Sequence, residues 1–501
     1  MINPEGKQVM PCQVVNNRLP EIRTVPSLYT IPALVVTDVL ALGAALWLAW
    51  EVRLGLLPMF GSLYNLEVTV DFYHHLLWVL VVVLSYLAID GLYTSRLPFW
   101  RETGRALKVI TLSFLLILAS ISLGKMSGEF SRSVLVLCCL FALLLLPVGR
   151  WAMKSLLWQR GWWDQPVLVL GAGKTGALVA QALLRDRYLG YQIRGFLDDE
   201  PAKQKSGFKV NGVCFPVLGG FADYEQVMAE TGVSDLIVAA PGMASTKLVD
   251  LVNSIQRIAS SVTVVPDLFG LPVEGVKADY FFDEQMLTFR LGNNLANPVN
   301  RIIKRCFDFI IGLLISIILL PLLAAIALAV KLDSPGPVLF AHRRVGRNGR
   351  RFNCYKFRSM AINAQEVLSD LLENNQEAQQ EWQYHYKIKN DPRITRVGKF
   401  LRSSSLDELP QLLNVLRGEM SLVGPRPITD QEIPYFGNHI ENYYLVRPGI
   451  TGLWQVSGRS EMDYEHRVSL ESWYVRNWSL WTDISLLIRT LTVLISKCGA
   501  Y

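Results

Sequence analysis

Two adjacent carboxylates, Asp407 and Glu408, lie in the segment SLDELPQLLNVLRGEMSLVGPRP at residues 405–427. An apolar, helix-like run follows them, and then a Gly-Pro-Arg-Pro turn that carries Arg426. One carboxylate can attack phosphorus, a second can bind a hard cation such as Mg²⁺, and an arginine can grip a phosphate. The pattern therefore predicts phosphoryl chemistry, with Asp407 as the nucleophile, Glu408 as the magnesium ligand and Arg426 on a phosphate.

The same residues also have a purely structural interpretation. Ser405 and Glu408 have the spacing of a capping box, in which both side chains bond free amides at a helix start. Acidic residues are also favoured there by the helix dipole. The spacing alone does not separate the two interpretations. Because neighbouring residues on a helix point about 100° apart, we expect Asp407 and Glu408 to reach different targets rather than share a proton.

Basic and polar side chains around this segment are candidates for binding a substrate phosphate or nucleotide. Most arginines of residues 343–351 are expected to form a solvated or lipid-headgroup face, whereas Lys356 and Arg358 lie in a more apolar context that favours an inward role. The candidates are Lys304, Arg305, Lys356, Arg358, Arg402, Arg426, Arg447, Gln455 and Arg459.

Composition limits the class of protein. The 501 residues are enough for about three domains of roughly 150 residues each. The net charge of +6, with clustered basic residues, suits a membrane surface or phosphate ligands better than duplex nucleic acid, so no nucleic-acid partner is expected. Seven cysteines without a C-x-x-C pattern argue against a disulfide framework or zinc site and favour a reducing, cytosolic location.

Four apolar runs are candidates to span a membrane, which takes roughly 20 residues. They cover residues 31–50, 72–89, 109–124 and 134–148, the last two being short. Asp38, inside the first run, is expected to pack within the bundle. Lys and Arg are concentrated in the N-terminal tail, the second loop and the exit from the fourth run. This bias predicts a multi-pass protein with its N-terminus and everything after the fourth span in the cytosol.

A soluble α/β texture begins near residue 165. The segment PVLVLGAGKTGALVAQALLRD predicts a strand, a glycine turn and a helix, with Gly171, Gly173 and Gly176 at G-x-G-x-x-G spacing. Asp198 then ends a second strand, near the expected position of a ribose-binding acid. A small doubly wound, Rossmann-like sheet is the economical prediction. The glycines are also explained by helix–strand packing, so a vestigial nucleotide loop in a regulatory or oligomerising module is favoured over a bound dinucleotide.

A fifth hydrophobic run, residues 309–330, is also long enough to span. A crossing would carry the remaining 170 or so residues away from cytosolic nucleotides. Pro321 lies near its middle and interrupts helix hydrogen bonding. We therefore expect a re-entrant helix that breaks and returns to the same face, with an ordinary kinked span as the alternative.

Four segments in the last third of the chain carry a family resemblance. They are KRCFDFIIGLLISIILLPLL, GPVLFAHRRVGRNGRRFNCYKFRSM, LRSSSLDELPQLLNVLRGEMSLVGPRP and RPGITGLWQVSGR. Together they resemble the polyprenyl-phosphate hexose-1-phosphate transferases, the bacterial enzymes that begin glycan assembly on a lipid carrier. The four spans and the nucleotide-fold-like middle further resemble the large members of that family. The chain departs in having Ser403-Ser404 where many relatives have Lys-Thr, and Glu471 where many have Asp.

The resemblance implies a two-step transfer at the bacterial inner membrane. Asp407 would displace UMP from a UDP-hexose, and undecaprenyl phosphate would then take the hexose phosphate from the carboxylate. It also implies Mg²⁺ on Glu408, membrane lipids as partners, a homodimer, and a place at the start of O-antigen, capsule or exopolysaccharide synthesis. Galactose is the expected sugar and glucose the alternative.

The resulting fold prediction is a multi-domain membrane protein. A tail of residues 1–26 precedes a four-helix transmembrane bundle at 27–160 and an α/β Rossmann-like domain at 161–297. An α+β monotopic catalytic domain occupies 298–501. Two other functions remain open: a membrane-anchored, NAD-dependent sugar-nucleotide enzyme, which the absence of Tyr-x-x-x-Lys between residues 165 and 300 disfavours, and a scaffold in which Asp407 and Glu408 only cap a helix.

Overall fold

The computed structural model describes residues 27–56, 72–125, 130–267, 276–281, 286–290, 294–374, 391–457 and 464–496. Its contacts divide the chain into two compact units, Met1–Asp267 and Leu268–Tyr501. The predicted bundle and residues 161–267 of the predicted Rossmann-like domain fall in the first unit. The remainder of that predicted domain, residues 268–297, falls in the second unit with the predicted catalytic domain.

The first unit begins with four long helices. They are α1 Ser27–Glu51, which a short π-helical turn Val52–Leu56 extends, α2 Phe72–Ile89, α3 Phe99–Leu123 and α4 Arg132–Gln159. Helices α1, α3 and α4 are long and apolar enough to cross a membrane, and α2 is a shorter apolar helix. All four predicted runs are therefore helical, but α3 begins ten residues before the predicted run and α4 continues eleven residues beyond it.

Buried charges explain the extra length of α3 and α4. The guanidinium of Arg150 pairs with Asp38 at 2.6 Å and with Glu102 at 3.2 Å. Lys154 also pairs with Glu102, at 2.5 Å. Each of these side chains is at most 3% exposed, so the expectation that Asp38 packs inside the bundle is confirmed. Arg150 and Lys154, predicted as part of a cytosolic exit loop, instead lie in the helix.

The same charges join the bundle to the domain that follows. The Lys154 ammonium lies 4.5 Å from the ring centre of Tyr188 and 4.7 Å from that of Trp163. Arg96 donates to the carbonyl oxygen of Trp163 at 2.6 Å. The helices and the α/β domain therefore contact each other through polar groups and belong to the same compact unit.

Replacing Arg150 with Met is expected to lower the free energy of unfolding by about 3–5 kcal/mol, because two buried carboxylates would keep only one cation. Thermal unfolding of the detergent-solubilised chain measures the loss. Arg105→Met is the matched control, since Arg105 pairs with Asp90 at 3.0 Å in a setting 31–40% exposed. If Arg105→Met lowers the free energy of unfolding as much as Arg150→Met does, the buried network has no special role in stability.

The α/β domain is a five-stranded parallel sheet flanked by helices, as predicted. Its strand order is β5-β2-β1-β6-β7. Along the chain its elements are β1 Gln165–Leu170, α5 Lys174–Arg185, β2 Tyr191–Leu197, α6 Pro201–Ser206, β3 Phe208–Val210, β4 Val213–Phe215, β5 Val217–Gly219, α7 Tyr224–Thr231, β6 Asp235–Val238, α8 Ser245–Ile255 and β7 Ser261–Val264. Strands β3 and β4 form a separate hairpin.

Packing accounts for two of the three glycines of the predicted nucleotide loop. Gly171 has φ +109°, and a Cβ there would lie 2.5 Å from the carbonyl oxygen of Ala239. A Cβ on Gly176 would collide with the carbonyl oxygen of Gly171, whereas Gly173 faces open space. The carboxylate of Asp198 accepts a hydrogen bond from the amide of Ala172 at 2.8 Å. Asp198 of this chain therefore already accepts a hydrogen bond from a backbone amide of the predicted nucleotide loop.

The second unit contains a hairpin, a long helix and a compact α+β body. Its elements are β8 Lys277–Phe281, β9 Met286–Arg290, α9 Pro298–Asp333, β10 Leu339–Val345, β11 Arg351–Phe357, α10 Ala364–Asn374, α11 Arg396–Ser403, α12 Gln411–Arg417, β12 Ser421–Val423, α13 Ile440–Tyr444, β13 Gly449–Thr451, α14 Leu453–Val456, α15 Tyr464–Arg476 and α16 Leu480–Ser496. Strands β10 and β11 pair antiparallel, and β12 and β13 pair parallel.

Helix α9 is one 36-residue helix that continues through Pro321, so the predicted interruption at this proline is not observed. Near its start, Asp308 accepts a hydrogen bond from the amide of Leu422 at 3.1 Å. Near its end, Asp333 accepts one from the amide of Val397 at 3.2 Å. Both ends therefore contact the same α+β body. Its most apolar stretch is only 11% buried, which leaves a large apolar face exposed.

Candidate active site

The two predicted catalytic carboxylates lie on a tight turn between α11 and α12. Ser405 adopts a left-handed conformation with φ 56°, and Leu406–Glu408 form a single 3₁₀ turn. Ser405 makes no side-chain capping bond, so the predicted capping box is wrong. The left-handed residue reverses the chain after α11, and this reversal points Asp407 inward, where it is 8% exposed.

Lys356 brings the two carboxylates together. Its ammonium nitrogen lies 2.6 Å from Glu408 Oε1 and 3.8 Å from Asp407 Oδ2. Lys356 is on β11, and the antiparallel partner strand β10 fixes its position opposite Phe340. The predicted inward role of Lys356 thus has a definite geometry. Although Asp407 and Glu408 diverge along the backbone, they converge on one cation.

Burial and neighbouring charges set the electrostatics of Asp407. Burial raises the pKa of its carboxyl above the usual range, Lys356 and Arg402 oppose that rise, and Glu408 adds to it. Arg402 is held by a hydrogen bond from its Nε to Ser359 Oγ at 2.9 Å. A partly desolvated carboxylate with nearby cations is a suitable nucleophile, because little water has to be removed before it attacks.

Arg426 projects from the Gly-Pro-Arg-Pro turn, residues 424–427. Its backbone amide donates to Glu471 Oε1 at 3.2 Å, and its guanidinium lies 5.9 Å from the ring centre of Trp454. The residue is exposed. A fixed backbone and an exposed guanidinium are the properties expected of an arginine that binds a substrate phosphate.

The buried thiol of Cys354 lies among the charged groups of the site. Burial raises its pKa to about 11, Lys356, Arg344 and Arg426 oppose this effect, and Glu408 adds to it. The β10–β11 hairpin also carries Lys356, which pairs with Glu408, and Arg344, which donates to the carbonyl oxygen of Pro427. The hairpin therefore connects the carboxylates with the Gly-Pro-Arg-Pro turn.

Arg344 is a site residue that the sequence did not single out. Its guanidinium donates to the carbonyl oxygen of Pro427 at 3.3 Å and pairs with Glu432 at 3.4 Å. It stood among seven basic residues in one stretch. The alternation of side chains along a strand, which gives Arg344 and His342 one face and Arg343 the other, is the signal that distinguishes it from Arg343.

Lys304 is placed in the protein core and not among the site residues. Its ammonium donates to Val423 O at 3.0 Å and Tyr474 Oη at 3.3 Å, and pairs with Asp483 at 2.6 Å. Three N–H donors thus have three acceptors, and Lys304 is 7% exposed. These contacts indicate a structural role for Lys304.

Replacing Lys304 with Met is expected to lower the free energy of unfolding by about 3–5 kcal/mol, because Asp483 would remain buried without its cation. The KM for the nucleotide sugar should stay unchanged in the protein that still folds. The double variant Lys304→Met/Asp483→Leu removes both charges and should recover much of the melting temperature. A KM that rises in both variants would instead place Lys304 on the substrate.

Two of the other candidate arginines bind the end of a helix. Arg305 donates to Val415 O at 2.6 Å and Leu416 O at 2.9 Å, which are carbonyls of the last turn of α12. Arg447 donates to Gly418 O at 2.7 Å. Cations are favoured at a helix C-terminus, where carbonyls lack partners. These contacts indicate structural roles.

The three remaining candidates, Arg358, Gln455 and Arg459, have different surroundings. Arg358 is buried, and its Nη2 donates to Ser334 O at 2.6 Å just after the end of α9, so it anchors that helix. Gln455 donates to Ile450 O at 3.1 Å and lines a small cavity with Arg426. Arg459 lies outside the described residues.

The site offers oxygen ligands for Mg²⁺ but no ready-made cage. Among the described residues, no three His, Cys, Asp or Glu side chains come together around one point. Mg²⁺ commonly binds through one or two carboxylates, with water and substrate phosphate completing its shell. Glu408, whose side chain is 36% exposed, fits that donor set as a single carboxylate.

Comparison with known proteins covers both halves of the chain. The model of the bacterial sugar transferase family matches residues 299–497, and that of a CoA-binding domain matches residues 88–266. The undecaprenyl-phosphate galactose phosphotransferase of Salmonella typhimurium is 41% identical over 412 residues, 82% of this chain and 84% of that protein. The UDP-glucose:undecaprenyl-phosphate glucose-1-phosphate transferase of Escherichia coli is 30% identical over 473 residues, 91% of this chain and 93% of that protein.

A buried carboxylate beside a lysine-bound acid, on a body attached to a long apolar helix, fits an enzyme of the phosphoglycosyl transferase class, and these comparisons establish that class. The chain belongs to the bacterial sugar transferase family. An uncharacterised sugar transferase of Haemophilus influenzae, 40% identical over 82% of this chain and 85% of that protein, is a further relative of similar length.

Proposed function

We propose that the protein transfers galactose-1-phosphate from UDP-galactose to undecaprenyl phosphate and releases UMP, as the first membrane step of a bacterial polysaccharide. The observation that carries this proposal is the convergence of buried Asp407 and half-exposed Glu408 on Lys356. The relatives named for undecaprenyl-phosphate sugar transfer support the substrate class. O-antigen, capsule and exopolysaccharide remain alternative products of the pathway.

The transfer proceeds in two displacements at one phosphorus atom. A carboxylate oxygen of Asp407 bonds to the phosphorus that carries the sugar, the bond to the bridging oxygen breaks, and UMP leaves with the bonding electrons. A phosphate oxygen of undecaprenyl phosphate then attacks the same phosphorus and frees Asp407. Lys356, Arg402 and Arg426 stabilise the negative charge that collects as these anions meet.

Glu408 would hold the Mg²⁺ ion, which when bound neutralises charge on the diphosphate. Chelation by EDTA should therefore stop UMP release, and added Mg²⁺ should restore it. Undiminished activity in EDTA would remove the metal from the proposal.

The proposed location is the cytosolic face of the inner membrane, with both ends of α9 on that face. The contacts of Asp308 and Asp333 with one α+β body support that topology, because a helix that crossed would separate its two ends. Cysteines placed at the exposed Val299 and Pro335 should react with an impermeant label from the same side. Labelling from opposite sides would mean that α9 crosses.

Two finer points complete the proposal. A homodimer is expected, and mass measurement of the protein in lipid nanodiscs tests it. Galactose is preferred to glucose because of the higher identity to the galactose relative over similar lengths. UMP release with a panel of UDP-sugars should be fastest with UDP-galactose; a faster rate with UDP-glucose would change the sugar but leave the reaction class.

A further inference from the structure

The Gly-Pro-Arg-Pro turn has few hydrogen-bond donors with which to fix itself. Pro425 and Pro427 have no N–H. Between Gly424 and Ile428 the amide of Arg426 is therefore the only backbone donor, and it donates to Glu471 on α15 at 3.2 Å. The carboxylate of Glu471 thus holds the turn at the residue whose side chain we place on the substrate phosphate.

Glu471 is itself held by a buried network. Its Oε1 also accepts a hydrogen bond from Arg467 Nε at 3.3 Å, and Arg467 pairs with Glu432 at 3.7 Å. Glu471 and Arg467 are each 5% exposed. Burial raises the pKa of the Glu471 carboxyl, and Arg467 and the Arg426 amide oppose that rise. These contacts hold the carboxylate under the turn.

The network also reaches the other side of the turn. Glu432 pairs with Arg344, which donates to the carbonyl oxygen of Pro427. Two arginines of the site, Arg344 and Arg426, are thus oriented by one chain of charged side chains. The side chain of Arg344 and the backbone of Arg426 make the contacts, and this leaves the guanidinium of Arg426 available for substrate.

Stability is a poor explanation for this network, because it places charged side chains in the protein interior. Glu471 and Arg467 are each 5% exposed. Desolvation of such a buried pair is costly, and apolar replacements of similar volume are often neutral or stabilising. A functional role explains why such a costly arrangement is present.

We propose that Glu471, supported by Arg467, is a positioning residue that fixes the Gly-Pro-Arg-Pro turn so that Arg426 meets the diphosphate of the sugar nucleotide. The inference rests on the proposed function, because it takes the phosphate role of Arg426 as its premise. It assigns to Glu471 no contact with the substrate.

A double-mutant cycle on the full-length protein tests the inference by the KM for UDP-galactose, measured from UMP release. Glu471→Ala and Arg426→Ala should each raise KM by about tenfold or more, the size expected for a lost charge-assisted contact. The double variant Arg426→Ala/Glu471→Ala should have a KM within about twofold of that of Arg426→Ala alone, because the turn then has no guanidinium left to position. If the double variant instead raises KM by the product of the two single effects, the positioning role is wrong.

Two further variants separate positioning from folding. Glu471→Leu/Arg467→Met should keep or raise the melting temperature and still raise KM, whereas Glu471→Asp, which retains a carboxylate, should be milder than Glu471→Ala. Glu465→Ala, on the exposed side of the same helix, is the matched control and should change neither quantity. Normal KM in the apolar double variant would overturn the inference.

The premise can fail separately. If Arg426→Ala leaves KM unchanged, the phosphate role of Arg426 in the proposed function is wrong, and the inference falls with it. If Arg426→Ala raises KM but Glu471→Ala does not, only the inference is wrong.

Discussion

Replacing Asp407 with Asn is expected to lower UMP release from UDP-galactose by at least about 10⁴-fold, because the nucleophile is lost. The amide has nearly the same shape as the carboxylate but is a far weaker nucleophile toward phosphorus. Asp407 makes no capping bond that the change would break, since the turn is formed by backbone contacts from Ser405 and Leu406. We therefore expect the protein to fold and its catalysis to fail.

The intermediate gives a second measurement of the same prediction. Incubation with UDP-galactose but without the lipid acceptor should leave a hexose phosphate on the peptide that contains Asp407, and Asp407→Asn should show no adduct. Asp430→Asn is the matched control, because Asp430 is an exposed acid paired with Arg351 at 3.0 Å. Sustained UMP release by Asp407→Asn would mean direct transfer without a covalent intermediate.

The sequence predicted the types of residue in the site better than their arrangement. The sequence singled out Asp407 and Glu408 as adjacent acids before an apolar run, and Lys356 as a cation in an apolar context. Their convergence was not predicted, because about 50 residues separate Lys356 from the acids and only the packing of the β10–β11 hairpin on the turn joins them. The left-handed Ser405 was missed because φ > 0 is uncommon for serine.

Charged residues near the ends of α3 and α4 explain why the lengths of these helices were predicted wrongly. Hydropathy treats Glu102, Arg150 and Lys154 as exposed, so α3 and α4 were predicted too short. In the structure the charges neutralise one another between helices. A single-sequence pattern carries no record of such pairing, because the partners lie about 50 residues apart.

The roles of the arginines were the hardest to predict from the sequence, because arginine serves several different roles in this domain. Arg305 binds the carbonyls at a helix end, Arg358 anchors α9, and Arg426 exposes its guanidinium. Each task depends on which acceptor the tertiary fold brings near. Motif membership predicted Arg426 because its flanking prolines restrict the turn, and no comparable local restriction surrounds the other two.

Lys356→Met is expected to lower kcat/KM by about 10²–10³-fold, the size found when one preorganised electrostatic contact is removed from an active site. Without its ammonium, Asp407 and Glu408 repel each other and both repel the incoming diphosphate. Lys356→Arg keeps the charge and should lose less. UMP release under single-turnover conditions measures the effect on the first displacement.

Stability distinguishes this prediction from a simple folding defect. The side chain of Lys356 is 31% exposed, and ion pairs in such settings contribute little to folding. The melting temperature of Lys356→Met should therefore stay close to that of the wild-type chain while activity falls, opposite to the pattern expected for Lys304→Met. Lys399→Met, at an exposed lysine of α11, should change neither property. A Lys356→Met protein that melts early and keeps its kcat/KM when folded would show that the lysine supports the turn and takes no part in transfer.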